Sequence, residues 1–289
     1  MKPAAFTYHR ARDVDGATRL LAELGDEARL IAGGQSLVAM MNFRLARPRH
    51  LIDIGRLAGL DGIRTAADGA LHIGALATHH AVETAPRHAL GPEHAVVRDA
   101  MRWIGHLPIR TRGTVGGSLA HADATAEWCL LAVLLDAVLI ARGPAGERRI
   151  DAADFFHGYY TTALEPDEML VEVVFPRPAP HAALTEFAER QGDFAIVSAA
   201  VDLDLDPDGR TVRAGRVALG GVSALPVRVP EAEEVLGRGE EAGPGLFAAC
   251  AEAAARAVDP PGDANGSAHY RRGLTRTLVN RALEEAMAR

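Results

Sequence analysis

Glycine pairs stand at two places in this 289-residue chain, each beside short hydroxyl or amide side chains. The first segment, Ala32-Gly33-Gly34-Gln35-Ser36, follows a short strand-like run over 29–31 and precedes a helix-like run over 37–41. The second segment, Thr114-Val115-Gly116-Gly117-Ser118, precedes a helix-like stretch over 126–135. Because glycine has no Cβ and tolerates positive φ, such segments allow tight turns and close approach to a ligand. We therefore predict a glycine turn before a helix at both places.

Exposed backbone N–H groups at turns of this kind can surround phosphate oxygens. Gln35, Ser36, Thr114 and Ser118 add side-chain donors at the same places. Either segment alone is more often a simple turn than a ligand site. Neither matches the G-x-G-x-x-G pattern of dinucleotide folds or the lysine-containing P-loop. The residues alone therefore predict a protein that binds a nucleotide cofactor, without saying which one.

The composition is that of an ordinary globular protein, with 48% hydrophobic residues, 24% charged residues and a formal charge of -7 spread along the chain. It gives no basis for binding nucleic acid or a membrane surface. No run approaches the roughly 20 apolar residues of a membrane span, and the first residues do not resemble a signal peptide. We expect a cytoplasmic protein without membrane insertion.

The chain has two cysteines, Cys129 and Cys250, each inside an apolar, helix-like stretch. An iron-sulfur cluster normally takes four protein ligands, mostly cysteine, so any cluster is expected on another chain. The histidines include the pair His79-His80 but show no spacing typical of a zinc site. We predict no metal bound to this chain.

Three prolines, Pro176, Pro178 and Pro180, mark the expected boundary between two domains. Beyond it, strands are predicted over 184–190, 196–205 and 213–219, and helices over 231–236, 246–257 and 269–288. This order predicts an α+β lobe with a three-stranded sheet covered by helices.

The part before this boundary mixes short helices and strands. Asp13 is expected to cap a first helix that Gly25 ends, and Asp68-Gly69 to close a hairpin. Pro92 suits the first turn of a helix reaching about Ile104. Further strands are predicted over 29–31, 51–54, 138–140 and 169–175.

Longer motifs surround the glycine segments. They are AGGQSL at 32–37, LARP at 45–48, LIDI at 51–54, IRTRGTVGGSLAHAD at 109–123 and RQGDFA at 190–195. In this order they resemble the FAD-binding medium subunit of carbon monoxide dehydrogenase and related molybdenum hydroxylases, with the xanthine dehydrogenase flavin domain more distant. The resemblance covers nearly the whole chain.

The resemblance implies an α+β fold with a two-subdomain FAD-binding domain of the vanillyl-alcohol-oxidase (PCMH) type. That domain is expected over 1–177, with subdomains of about 1–56 and 57–177. The smaller C-terminal domain of these flavoproteins is expected over 178–289.

The resemblance also implies which residues contact FAD. The glycine segments and a segment lining the cleft are expected around the cofactor, with the diphosphate between the two glycine segments: Ile31, Ala32, Gly33, Gly34, Gln35, Ser36, Leu37, Ile73, Gly74, Ala75, Thr114, Val115, Gly116, Gly117 and Ser118. Glu127 is the expected acidic contact to ribose or ribityl, with Asp123 the weaker candidate. Ile104 and Leu164 are expected against a ring, or else in the core. Phe194 stands where relatives place Tyr or Trp near the isoalloxazine, and it lacks their hydrogen-bonding group.

The activity implied is electron transfer within a heterotrimer. A large subunit with the molybdenum cofactor oxidises the substrate, a small subunit relays electrons through two two-iron two-sulfur clusters, and this chain passes them through FAD to an acceptor that the sequence does not identify. No residue here is expected to be catalytic. Two alternatives stay open: a stand-alone flavin-dependent oxidase or reductase, and a structural assembly subunit without FAD.

Overall fold

The computed structural model describes residues 2–289. Its first layer is a three-stranded parallel sheet in the order β1-β3-β2. Helix α1 connects strands β1 and β2 of this sheet. Asp13 caps its first turn by accepting from the Gly16 amide at 2.7 Å, and Gly25 ends the helix at φ 55°. The elements of this layer are β1 (Thr7–Arg10), α1 (Val14–Leu24), β2 (Ala28–Ile31), α2 (Leu37–Asn42) and β3 (His50–Asp53).

The second layer is a five-stranded antiparallel sheet in the order β4-β5-β10-β6-β7. The predicted hairpin is present, and Gly69 takes φ 88° in its turn. Five short helices join β5 to β6 and cover one face of the sheet. The elements are β4 (Ile63–Thr65), β5 (Leu71–Gly74), α3 (His79–Glu83), α4 (Ala95–Ala100), α5 (Leu107–Arg110), α6 (Val115–His121), α7 (Glu127–Leu134), β6 (Val138–Gly143), β7 (Gly146–Asp151) and β10 (Met169–Phe175), with a small hairpin of β8 (Phe156–Gly158) and β9 (Thr161–Thr162).

The C-terminal lobe is an antiparallel sheet with three helices against one face. It has four strands, so the prediction of three was wrong. The fourth strand has only two residues. It is defined by its pairing with β13, as between Leu219 and Val227, and the sequence does not indicate this pairing. The elements are β11 (Ala182–Phe187), β12 (Val197–Leu205), β13 (Val212–Gly220), β14 (Val227–Arg228), α8 (Pro230–Leu236), α9 (Pro244–Ala257) and α10 (Ala268–Met287).

Two further local predictions in the first lobe, one of a helix end and one of a glycine turn, were also wrong. The helix after Pro92 ends at Ala100, and the chain continues to Ile104 in tighter turns whose amides bond three residues back. The second glycine segment is not a turn between strand and helix, because Gly116 and Gly117 lie inside α6. Neither segment of sequence contains a residue that would distinguish these local structures.

The C-terminal sheet joins the two lobes through its other face. Apolar side chains at the centre of that face pack into the same core as Trp128 of α7. They are Ala182, Leu184, Ala200 and Ala218. Strand alternation puts Glu186 and Ser198 at one end of this face and Asp202 at the opposite end. The joint between the lobes is therefore apolar at its centre and polar at both ends.

No helix within residues 2–289 combines the length and apolar character needed to cross a membrane.

Candidate functional site

A cavity of about 570 Å³ opens between the parallel sheet and the helices of the second layer. This volume is within the range of about 300 to 1,000 Å³ usual for small-molecule and cofactor sites. Both glycine segments line it, although 80 residues of sequence separate them. The predicted site residues on its wall are Ile31, Ala32, Gly33, Gly34, Gln35, Ser36, Leu37, Ala75, Thr114, Gly116, Gly117, Ser118 and Leu164.

The first glycine segment is an open turn after β2. Gly34 has φ 72°, a conformation that favours glycine. Among the residues that the structure describes, the amides of Gly33, Gly34, Gln35 and Ser36 donate no hydrogen bond to the protein. Four neighbouring backbone donors are thus left for a ligand, an arrangement that suits an anion.

The second glycine segment is held firmly by the protein itself. The amides of Val115 and Gly116 donate to Ala77 and Ala75 carbonyls at 2.9 and 2.8 Å, and the Gly117 amide donates to Thr114 Oγ1 at 3.1 Å. A Cβ on Gly116 would lie 2.5 Å from that of Ala75. Gly117 and Ser118 of this segment line the cavity. Its first amides already donate hydrogen bonds within the protein and are not free for a ligand.

The first segment touches the backbone that leads directly into the second. A Cβ on Gly33 would lie 2.0 Å from the Arg112 carbonyl oxygen, so only glycine permits this approach. On the far side, the His79 amide donates to the Gly113 carbonyl, and His79 Nδ1 accepts from Trp128 Nε1 at 3.0 Å. Burial, helped by Arg110, lowers the pKa of His79 to about 4. The neutral imidazole is thus bonded to Trp128, while the backbone amide of the same residue holds Gly113, just before the second segment.

The remaining predicted residues do not line the cavity. Ile73, Val115 and Ile104 are buried in the core of the first lobe, and Gly74 packs against the Leu60 backbone. Phe194 is 68% exposed and lies outside the cavity wall.

The acidic candidates differ in how they are engaged. Asp123 is occupied, because Oδ1 accepts from the Thr125 amide and hydroxyl and Oδ2 accepts from Tyr160 Oη at 3.3 Å. Glu127 is partly buried at the start of α7, where burial and Asp123 raise its pKa to about 7. It is not among the residues that line the cavity.

Glu186, which the sequence prediction missed, belongs with Glu127. It is 5% exposed, and burial followed by the Glu127 carboxyl raises its pKa to about 9. Its Oε2 has no hydrogen-bond partner within residues 2–289, nor has Oγ of Ser198, the residue opposite it on β12. A polar residue at an inward position of β11 was the only signal in the sequence. The pair holds at least one proton at neutral pH.

His121 and Tyr160 are also on the cavity wall and were not predicted. Their ring centroids lie 4.9 Å apart, and Tyr160 has φ 54°. Burial lowers the pKa of His121, while burial and Asp123 raise that of Tyr160. Both rings are neutral near pH 7 and offer a partly aromatic surface. Their placement depends on the β8–β9 hairpin, which leaves no clear sequence pattern.

Residues 2–289 contain no group of three or more His, Cys, Asp or Glu side chains placed to hold a metal ion. Both cysteines are buried and free, and burial raises the pKa of the Cys250 thiol to about 12 and that of Cys129 well above its usual range.

Comparison with known families covers almost the entire chain. Residues 4–178 match the model of the FAD binding domain in molybdopterin dehydrogenase, and residues 182–286 match the CO dehydrogenase flavoprotein C-terminal domain. The fold and the site therefore define a flavoprotein subunit of an oxidoreductase complex.

Individual relatives match over their full length. The chain is 42% identical to the 6-hydroxypseudooxynicotine dehydrogenase complex subunit alpha of Paenarthrobacter nicotinovorans, covering 100% of this chain and 97% of the relative. It is 36% identical to the carbon monoxide dehydrogenase medium chain of Afipia carboxidovorans, covering 100% and 99%. The structure of quinoline 2-oxidoreductase from Pseudomonas putida 86 superimposes with a TM-score of 0.93 at 36% identity, covering 100% and 99%. The chain belongs to the FAD-binding medium subunits of the molybdenum hydroxylases, the carbon monoxide and xanthine dehydrogenase family.

Proposed function

We propose that this chain binds FAD in the cavity and transfers electrons within a heterotrimeric molybdenum hydroxylase. The observation that carries the FAD assignment is the row of four unbonded amides at 33–36, facing a cavity of cofactor size. A diphosphate supplies the anionic oxygens that such a row of donors binds.

The cavity residues fit FAD in their chemistry. The first glycine segment would hold the diphosphate, with Gln35 and Ser36 as further donors. Gly117 and Ser118 would border the diphosphate from the second segment without crowding it. Leu164 and the His121–Tyr160 pair supply apolar and aromatic surface for a ring. When bound, FAD would supply the redox chemistry, and the protein would position it and tune its potential.

The carboxyl pair of Glu127 and Glu186 would supply a protonated carboxyl at the joint between the lobes. A protonated carboxyl can donate a hydrogen bond as well as accept one. Contact of Glu127 with the ribityl or ribose, as the family resemblance implies, would require the carboxyl to reach the cavity that it does not line in this structure. Glu186 would keep a proton at the joint between the lobes, where no cationic side chain offsets a second charge.

The subunit role rests on the partners that the chain requires. It offers two buried thiols where an iron-sulfur cluster needs about four ligands, so clusters belong on a small subunit and the molybdenum cofactor on a large one. The route of electrons from these clusters through FAD to an acceptor is part of the proposal. So is the division into a cofactor domain over 1–177, with subdomains of about 1–56 and 57–177, and a C-terminal domain over 178–289.

The two alternatives have less support. A stand-alone oxidase would need a substrate-binding domain, whereas the C-terminal lobe matches a domain of medium subunits. A structural subunit without FAD would have no use for four unbonded amides beside a cavity.

Two measurements test the proposal. The full chain should purify yellow and release FAD on denaturation, and a colourless protein that cannot be reconstituted with FAD would overturn cofactor binding. Purification from its source should bring a molybdenum subunit and an iron-sulfur subunit with it. If the chain is isolated alone and turns over a substrate unaided, the subunit role is wrong.

A further inference from the structure

One side of the cavity is formed by a loop, the segment 163–168 between β9 and β10. Leu164, Pro166 and Glu168 of this segment line the cavity. The segment contains no helix or strand of its own. Because loops are generally more mobile than the elements that they connect, a cavity wall of this kind keeps its shape only if other groups hold it.

One guanidinium group holds both ends of this segment. Arg148, on β7, donates from Nη2 to the Ala163 carbonyl at 2.6 Å. Its Nε and Nη2 also donate to Glu168 Oε1 and Oε2 at 2.7 and 2.8 Å, which makes the ion pair bidentate. Glu168 Oε2 in turn accepts from the Glu165 amide at 2.8 Å. Arg148 is therefore bonded to the first and last residues of the segment, and Glu168 ties down its middle.

The two charges of this pair lie in different surroundings. The side chain of Glu168 is 9% exposed and belongs to the cavity wall, whereas that of Arg148 is 42% exposed and does not. The bonds from Arg148 lower the pKa of Glu168 although burial acts in the opposite direction, so the carboxyl is charged near pH 7. Within residues 2–289, Arg148 forms the one ion pair of this carboxylate. Without it, an uncompensated negative charge would remain on the cavity wall.

We propose that Arg148 is a positioning residue, which holds residues 163–168 in place against the bound cofactor and neutralises the Glu168 carboxylate beside it. This inference rests on the proposed function, because it supposes that FAD occupies the cavity. A negative charge near a flavin disfavours the uptake of electrons, and a positive charge favours it. Arg148 would thus set both the shape and the charge of this wall from outside the cavity.

The experiment measures two properties of the full-length chain, its affinity for FAD by fluorescence titration and the midpoint potential of the bound flavin. Arg148→Met removes the bonds and the positive charge. The affinity for FAD should fall at least tenfold, and the potential should become more negative. If the reduced flavin loses tenfold more affinity than the oxidised flavin, the shift is about 30 mV for a two-electron couple.

Two further variants separate shape from charge. Arg148→Lys keeps the charge, but an ammonium group lacks the planar fork that reaches both carboxylate oxygens together with the Ala163 carbonyl. Its affinity for FAD should fall while the potential stays at the wild-type value. Glu168→Gln leaves the guanidinium without its carboxylate, so the potential should become more positive, opposite to the shift in Arg148→Met.

Arg149→Met is the matched control. Arg149 is the next residue on β7, is exposed, and points to the opposite face of the strand. Its side chain forms no ion pair or hydrogen bond in the part of the chain that the structure describes. The same substitution at this position should leave the affinity for FAD and the potential at wild-type values.

Two results would overturn the role of Arg148. The first is equal behaviour of Arg148→Met and Arg149→Met. The second is a shift of potential in the same direction in Arg148→Met and Glu168→Gln, because a wall that is only loosened would not respond to the sign of the charge removed. A wild-type chain that holds no FAD and cannot be reconstituted with it would instead overturn the proposed function, which distinguishes the two failures.

Discussion

The two glycine segments differ in backbone although they are similar in sequence. Residues 32–36 form an open turn with four unbonded amides, whereas residues 115–121 form a helix whose first amides are bonded to the turn after β5 and to Thr114. In the first segment glycine exposes donors. In the second, Gly116 allows close packing on Ala75 and Gly117 leaves open space beside the cavity. The same residue type therefore exposes backbone donors at one place and allows close packing at the other.

The largest expected effect is that of Gly33→Val. Its Cβ would meet the Arg112 carbonyl at 2.0 Å, so the contact between the two segments must open. Overpacking against backbone costs about 1 to 3 kcal/mol, and we expect about 3 kcal/mol here together with complete loss of FAD. Urea denaturation and the flavin absorbance of the purified protein measure both. A stable, yellow variant would contradict the close contact.

Gly117→Val should separate binding from folding. The new side chain meets only Thr114 Oγ1, at 2.7 Å, and otherwise extends into the cavity. We expect affinity for FAD to fall at least 100-fold, which is about 2.7 kcal/mol. Stability should fall by about 1 kcal/mol, because the new Cβ displaces the Thr114 hydroxyl that caps α6. Fluorescence titration with FAD measures the first change and thermal unfolding the second.

Gly273→Val is the matched control for this substitution. Gly273 is also a helical glycine, and a Cβ there meets no atom within 4 Å. Because valine is a better helix former than glycine, this variant should keep its stability as well as its flavin. Unchanged flavin content in Gly117→Val would count directly against the second segment as part of the site.

Glu186→Gln should change how stability depends on pH. The folded-state pKa of about 9 exceeds the ordinary value of 4.5, so between these values the folded chain holds a proton that the unfolded chain releases. Stability of the wild type without FAD therefore falls as pH rises from about 4.5 towards 9. The variant cannot bind or release this proton, so relative to wild type its stability should rise between pH 5 and pH 8, by at most about 4 kcal/mol at about 1.4 kcal/mol per pH unit.

Urea denaturation across this pH range measures the effect. The exposed substitution Glu240→Gln is the control and should follow the wild-type profile. If the stability of Glu186→Gln and that of wild type depended on pH in the same way, the pKa of Glu186 would not be raised in the folded chain, and the prediction would be wrong.

Thr114→Ala should have the smallest effect. It removes the side chain that caps α6, and losing such a cap costs about 1 kcal/mol. The freed Gly117 amide would then be available to the cavity, as the amides of the first segment already are. We expect a lower melting temperature with FAD affinity within about threefold of wild type, a change of less than about 1 kcal/mol. A large loss of affinity would mean that Thr114 itself contacts the cofactor.

Much of the fold could be predicted because local signals were strong. Asp13, Gly25 and Gly69 set a helix start, a helix end and a hairpin, and β10 occupies 169–175 as its β-branched residues predict. The helix after Pro92 and the strand over Val227–Arg228 could not be predicted, because tight turns and edge pairing depend on neighbours distant in sequence. The position of Phe194 outside the cavity wall also depends on neighbours distant in sequence, although this residue belongs to a motif that carries the family resemblance.

The sequence by itself determined the family, the α+β class and the presence of two glycine segments of the kind that can approach a ligand. These are properties of residue type and order, which local sterics and motif similarity express directly. Only the tertiary structure decided which glycine segment offers free amides, and only it brought Glu186 beside Glu127 across the joint between the lobes. The physical reason is that hydrogen-bond satisfaction and desolvation depend on what packs against a group, and those neighbours lie far along the chain.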